Sequence, residues 1–104
     1  MSPTVVISPE AEAQIRAIDH WWRRNRGAAP DLFVQELAEA LAALQAMPAV
    51  GRNAAHPEIQ GLRRILLRAA RYHVYYVAAG EAVFVLAVWS AVKGTGPDLR
   101  RLSE

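Results

Sequence analysis

The hydrophobic positions change their period once along the chain, and this change separates a helical first half from a strand-rich second half. Apolar residues recur every three to four positions from Ala11 to Trp22 and from Phe33 to Leu44, which is the period of an amphipathic helix. From Leu62 onward they alternate or run together, as is typical of strands. We therefore predict two helices followed by strands.

Short sequence motifs mark the ends of these predicted elements. Thr4–Ile7 is a β-branched run that predicts a first strand, and residues 8–10 (SPE) combine a helix cap, a proline at the first helical position and an acid. Gly27 ends the first helix, residues 30–31 (PD) open the second, and residues 47–48 (MP) close it. Two helices with so short a connection are expected to form an antiparallel hairpin.

The second half predicts a strand meander. Residues 48–61 contain two prolines, two glycines and no period, so we predict a loop there. Alternation over residues 62–68 places Arg64, Leu66 and Arg68 on one face, and Arg63, Ile65 and Leu67 on the other.

A hairpin follows this strand. Residues 72–79 and 82–89 flank Gly80-Glu81, which fits a two-residue turn. This turn predicts three facing pairs, which are Tyr72 with Trp89, His73 with Val88, and Tyr75 with Leu86.

The predicted order is β-α-α-β-β-β, an α+β domain whose helical hairpin packs on one face of a small antiparallel sheet. A length of 104 residues fits a single domain, residues 1–104, with residues 90–104 as a C-terminal tail. Six helical positions are expected to pack against Ile65, Leu67 and one hairpin face: Ile15, Ile18, Trp22, Leu37, Leu41 and Leu44.

Composition narrows the possible functions. The chain has no cysteine, which excludes disulfides, thiolate catalysis and Cys-ligated zinc. His20, His56 and His73 lie in three different elements, so no metal site and no cofactor are expected. The N-terminal residues lack a signal-peptide pattern and no apolar run reaches the length of a membrane span, so we expect a cytoplasmic protein.

One stretch stands out chemically. Residues 60–79 contain no acid, and tyrosines are interleaved with a basic cluster: Arg63, Arg64, Arg68, Arg71 and His73. Such a stretch fits an exposed strand face protected by charge, an acidic protein partner, or single-stranded nucleic acid bound by arginines and aromatic rings. The residues alone leave all three open.

Four segments, taken together, resemble the RelE/ParE toxin superfamily: residues 6–11 (VISPEA), 61–64 (GLRR), 71–77 (RYHVYYV) and 83–89 (VFVLAVW). The resemblance extends to about residue 99, and its order of elements agrees with the order predicted above. It implies a toxin of a bacterial toxin–antitoxin pair. Members of one branch cleave messenger RNA on the ribosome, and members of the ParE branch inhibit DNA gyrase.

The resemblance to the nuclease branch is incomplete. His73 stands at the position where such nucleases carry an arginine in the third strand. Their basic residue after the last strand falls near Ala91, with Lys93 two places later. Their tyrosine in the tail has no counterpart in this chain. As a nuclease, the chain would use His73 as acid or base, with Arg64, Arg68 and Lys93 as cationic groups. These departures favour a ParE-like inhibitor without chemistry of its own; a nuclease or a non-toxic relative are the alternatives.

Both faces of the hairpin are apolar, yet the helices can cover only one. We therefore expect an exposed face that binds an antitoxin or a target, with the arginines at its rim. The antitoxin is expected to be an acidic, partly disordered segment, and a homodimer or toxin–antitoxin hetero-oligomer is a further expectation. The predicted binding residues are Arg63, Arg64, Arg68, Arg71, Tyr75, Phe84, Leu86 and Trp89.

Overall fold

The computed structural model describes residues 2–92, which form two helices and five strands. In chain order these are β1 (Thr4–Ile7), α1 (Pro9–Asn25), α2 (Leu32–Ala46), β2 (Arg52–Asn53), β3 (Arg63–Leu67), β4 (Tyr72–Ala79) and β5 (Ala82–Ser90). The predicted α+β class and helical hairpin are confirmed. The strand β2 lies within the segment predicted to be a loop, because a two-residue pairing leaves no period in the sequence.

The sheet is mixed rather than wholly antiparallel. Its strand order is β1-β5-β4-β3-β2, and β1 runs parallel to β5 whereas every other pair is antiparallel. A tight turn forces two neighbouring strands to be antiparallel, but β1 and β5 are joined by a long connection that includes both helices. The expected antiparallel sheet is therefore corrected at this one pair.

The β4–β5 hairpin contains a bulge that the two-residue turn did not predict. The turn at Gly80-Glu81 is confirmed, with Gly80 at φ +59°, and pairing follows it from Ala79–Ala82 to Tyr76–Val85. Beyond that point β5 has one extra residue. The observed pairs are Tyr72–Ser90, His73–Trp89, Val74–Val88 and Tyr75–Ala87, so the predicted Tyr72–Trp89, His73–Val88 and Tyr75–Leu86 pairs are wrong.

Helix α1 binds the bulged part of β5 directly. The Ser8 hydroxyl accepts the Ala11 N–H as the helix cap and donates to the Leu86 carbonyl, both at 3.1 Å. The Val88 N–H donates to Gln14 Oε1 at 2.8 Å. Past the end of β1, the edge of β5 is thus hydrogen-bonded by the side chains of Ser8 and Gln14. The bulge also directs Val88 toward the helices, where it is buried.

The main core lies between the helices and one face of the sheet. It contains the predicted helical stripe together with Ile65 and Leu67, although Ile15, Ile18, Leu41 and Ile65 are only partly buried. Five residues on β4 and β5 that face the helices are fully buried: Val74, Tyr76, Val83, Val85 and Val88. Tyr72, which packs on Phe33, is partly buried. We call this side the helix-covered face and the opposite side the open face.

Candidate functional site

The open face is partly covered by the loop between β2 and β3. Ile59 and Leu62 pack on Tyr75 and Ala87 in a second apolar cluster, and Tyr75 is only 7% exposed. The expectation that the hairpin face left uncovered by the helices is exposed is therefore corrected at its middle. The loop covers the middle of the open face and leaves two separate ends, one basic and one apolar.

The basic end is a cleft between the chain at residues 50–52 and the strands β3 and β4. Its volume is about 550 Å³, and its basic side chains are Arg52, Arg64, Arg68 and His73. The remaining lining residues are Val50, Gly51, Ile65 and Leu66. We call it the basic cleft. It brings together three of the sequence-predicted site residues and adds Arg52, which the sequence did not single out.

Strand register sets the arrangement of the cleft. Arg52 on β2 lies directly opposite Arg64 on β3, and Leu66 on β3 lies opposite His73 on β4. Neighbours across a sheet project their side chains to the same face, so these groups share the open face. The three ion pairs found among residues 2–92 involve Arg16 and Arg23 of α1, and none involves an arginine of the cleft.

The surroundings of His73 in the cleft disfavour its protonated form. Partial burial lowers the pKa of His73 below its ordinary value of 6.5, and the positive charge of Arg64 lowers it further. A neutral imidazole can accept a proton, and the arginines can bind carboxylate or phosphate oxygens. The cleft is therefore able to bind an anion, with one group available for proton transfer.

Buried hydrogen bonds hold the wall of the cleft. The Tyr76 hydroxyl, in the core, donates to the Pro48 carbonyl at 2.7 Å and accepts the Gly51 N–H at 2.8 Å. From the other side, Arg63 Nη1 donates to the Gly51 carbonyl at 2.7 Å. A Cβ at Gly51 would lie 2.6 Å from the Tyr76 hydroxyl and 2.8 Å from the Arg64 carbonyl. Only glycine fits, so position 51 is fixed beside Arg52.

The apolar end of the open face is a row across three strands. Val6 on β1, Phe84 on β5 and Val77 on β4 are register partners, with Val6 41% and Phe84 38% exposed. Leu86 is half-buried and packs against the second cluster. Two predicted binding residues, Phe84 and Leu86, thus lie on this side of the covering loop.

The other predicted residues lie elsewhere. Arg63 is engaged with the Gly51 carbonyl, and Arg71 occupies the β3–β4 turn with φ 66°. Trp89, opposite His73, packs against the second apolar cluster and also lines a groove between α1 and the end of β5, together with Trp21 and Tyr72. Lys93 lies outside the described residues. The set predicted from sequence is therefore distributed over several surfaces rather than one.

The described residues contain neither a metal-binding cluster nor a membrane-spanning helix. Within residues 2–92, no cluster of His, Asp and Glu has the arrangement needed to hold a metal ion. Neither helix in this range is long and apolar enough to cross a membrane.

The family of the chain follows from comparison with known proteins. Residues 5–93 match the family described as "ParE toxin of type II toxin-antitoxin system, parDE". Because the match covers most of the chain, the protein belongs to this family of type II toxin–antitoxin toxins. No curated protein gives a significant match.

Solved structures agree with this assignment at the level of the fold. A chain of the chromosomal ParDE TA system from P. aeruginosa superposes with a TM-score of 0.70 at 18% identity, covering 86% of this chain and 96% of that one. A double mutant of the E. coli toxin RelE in the free state gives a TM-score of 0.56 at 19% identity, covering 88% and 86%. The predicted resemblance to the RelE/ParE superfamily, on its ParE side, is confirmed.

Proposed function

We propose that this protein inhibits bacterial growth by binding a protein target such as DNA gyrase in the cytoplasm, without catalysis, and that a cognate antitoxin neutralises it. The observation that carries the proposal is the match of residues 5–93 to the ParE toxin family. The open face supplies surfaces suited to both partners, since the covering loop leaves exposed apolar side chains at one end and, at the other, arginines that form no ion pair within residues 2–92.

The contents of the basic cleft support a binding role. General acid–base cleavage of RNA requires one group to remove a proton and another to supply one. Among the described residues that line the cleft, His73 is the one group that titrates near neutral pH, and the others are arginines or apolar. Arginines remain protonated at any physiological pH, so they stabilise charge without transferring protons.

The alternative is a RelE-like, ribosome-dependent messenger RNA endonuclease. It is favoured by the neutral His73 beside Arg64, because such an imidazole could remove a proton while Arg64 and Arg68 stabilise a developing negative charge. The two functions differ in whether His73 matters for toxicity.

Controlled expression of the wild type and of a His73→Ala variant separates these functions. We expect both to arrest growth to a similar extent, to induce DNA damage rather than cleavage of messenger RNA, and, once purified, to inhibit supercoiling by gyrase. His20→Ala, an exposed histidine on α1, is the matched control.

Three results would count against the proposal. Cleavage of messenger RNA that falls 10²–10⁴-fold in His73→Ala, the usual contribution of a general acid or base, would establish the nuclease instead. Growth arrest without any effect on gyrase would reject that target. Normal growth at high expression would identify a non-toxic relative.

A further inference from the structure

The strand β1 forms one edge of the sheet, at the opposite end from the basic cleft. In the strand order β1-β5-β4-β3-β2, β1 comes first, and within residues 2–92 no strand lies on its outer side. Edge strands are commonly protected against pairing with other chains by a charge, a proline or a bulge. The four residues Thr4–Ile7 are all β-branched and uncharged, and they pair with β5 in continuous register. This edge therefore has none of these protections.

The hydrogen bonds between β1 and β5 identify the backbone groups that remain free. The N–H groups of Thr4 and Ser8 each donate at 2.9 Å to a backbone carbonyl on the β5 side. In a parallel pair, alternate residues of a strand direct their N–H and carbonyl toward the same neighbour, so Val6 also bonds to β5. Val5 and Ile7 direct theirs outward. The edge thus presents two donors and two acceptors to a further strand.

Apolar side chains lie on both faces of the sheet beside this edge. On the open face, Val6 is 41% exposed next to its register partner Phe84. On the helix-covered face, Val5 and Ile7 line a groove of about 600 Å³ between β1 and α2. The α2 side of this groove consists of uncharged residues: Ala38, Leu41, Ala42 and Gln45. Because every described residue that lines the groove is uncharged, a charged segment would lose hydration there without gaining an opposite charge.

A second copy of β1 matches this edge in register, charge and length. With Val6 facing Val6 of the second copy across a two-fold axis, antiparallel pairing places Val5 of each copy opposite Ile7 of the other. Each outward N–H then meets an outward carbonyl, which gives four hydrogen bonds. Two uncharged edges do not repel each other. Pro3 and Pro9, which lack a backbone N–H, limit both strands to the same length.

We infer that two copies of this chain associate through β1, in antiparallel pairing centred on Val6, so that their two sheets join into one. The two-fold axis is perpendicular to the sheet, so the helices of both copies lie on the same side. Val5 and Ile7 of the second copy enter the groove beside Ala38 and Ala42, whose small side chains leave room for them. The basic cleft lies at the far end of each sheet and stays open. The inference is independent of the proposed function, because it uses the fold alone.

Sedimentation of the purified full-length protein over a concentration series tests the association. The wild type should form a dimer as concentration rises. Val6→Lys places two ammonium groups opposite each other at the axis, so it should weaken association at least about tenfold. Leu66→Lys is the matched control, since Leu66 is 46% exposed on the same face but lies three strands away on β3, and it should dimerise like the wild type.

A cross-link locates the two-fold axis. The chain has no cysteine, so Val6→Cys introduces a single thiol. Facing residues in a non-hydrogen-bonded antiparallel pair have Cβ atoms about 4.5–5.5 Å apart, close to the separation that a disulfide spans. With oxidised glutathione as the oxidant, Val6→Cys should form a covalent dimer on a denaturing gel. Leu66→Cys, under the same conditions, should stay monomeric.

Hydrogen exchange tests the pairing in the wild type without any substitution. The amides of Val5 and Ile7 should exchange slowly in concentrated solution, where the dimer forms, and faster after dilution. The Val6 amide, which bonds to β5 within each copy, should depend little on concentration. It serves as the internal control for the fold of β1.

Four results would overturn the inference. They are a wild type that sediments as a monomer at every concentration, a Val6→Lys variant that dimerises like the wild type, a dimer that Val6→Cys does not cross-link, and a dimer in which Val5 and Ile7 exchange freely. The last two would place the dimer interface on another surface. Slow exchange of Val5 and Ile7 in a monomer would also reject the second copy and assign the edge to another segment of the same chain.

Discussion

The two faces of the sheet are both apolar, but they are covered in different ways. On the helix-covered face, α1 and α2 bury Val74, Tyr76, Val83 and Val85 completely. On the open face, Ile59 and Leu62 of the loop bury the middle of the surface and leave Phe84 and Leu66 exposed. Complete cover by helices leaves one face with a structural role, whereas partial cover by a loop leaves the other face free to bind.

The largest expected loss of stability comes from a cavity beneath the helix-covered face. Leu44 is fully buried in the main core, so Leu44→Ala should lower the free energy of unfolding by about 2–5 kcal/mol, the range for a core cavity. Urea denaturation followed by circular dichroism measures the loss. Leu41→Ala, at a partly buried position of the same helix, should cost less. Equal losses in the two variants would contradict the packing described here.

The next effect concerns the wall of the basic cleft. Gly51→Ala places a Cβ against the Tyr76 hydroxyl and the Arg64 carbonyl, so the chain must shift at a cost of about 1–3 kcal/mol. The control is Gly27→Ala, where no atom lies within 4 Å of the new Cβ. Thermal unfolding compares the two. A Gly51→Ala protein as stable as Gly27→Ala would show that the wall is not held as described.

A smaller loss of stability is expected from a change in the loop that covers the open face. Ile59→Ala should cost about 1–2 kcal/mol, less than a truncation in the main core, because the loop can relax around the missing atoms. It should also expose Tyr75 and increase the binding of a hydrophobic dye. Gln60→Ala, at an exposed position of the same loop, should change neither quantity. Unchanged dye binding in Ile59→Ala would indicate that the loop does not cover this face.

The smallest effect is a pH dependence at His73. Its pKa is lowered in the folded protein by burial and by Arg64, so the unfolded chain binds the proton more readily. The free energy of unfolding should therefore fall as pH decreases from about 6.5 toward the folded pKa, and His73→Gln should remove this part of the slope. NMR titration measures the pKa directly. A value above 6.5 would contradict the environment assigned to His73.

The spacing of residues along the sequence predicted those structural features that depend on local patterns. The helical stripe, the Ser8 cap, the Gly80-Glu81 turn and the opposite directions of Arg64 and Ile65 are all confirmed, because each follows from local spacing. The bulge was not predicted, and its hydrogen-bond partners are distant in sequence: Ser8 donates to the Leu86 carbonyl, and Gln14 accepts the Val88 N–H. One extra residue in β5 was enough to change every pair beyond Tyr76.

The candidate site was predicted only in part, for a related reason. Arg64 and His73 lie on regular strands, and Arg68 directly follows β3 in the turn, so their shared side could be anticipated from alternation. Arg52 belongs to a segment without a period, and it reaches the cleft because a buried tyrosine and a glycine without room for a side chain hold that segment. Such contacts join residues that no local pattern connects.

The parallel pairing of β1 with β5 has a consequence for synthesis of the chain. Val5 pairs with Val83, and Ser8 bonds to Leu86 across a separation of 78 residues. Contacts of such long range form slowly and only after the later segment has left the ribosome. The N-terminal strand must therefore wait without its sheet neighbour while the helices, β3 and β4 are made. The nascent protein acquires its complete sheet only after β5 has been made, and a chain interrupted before β5 leaves β1 with no strand to join.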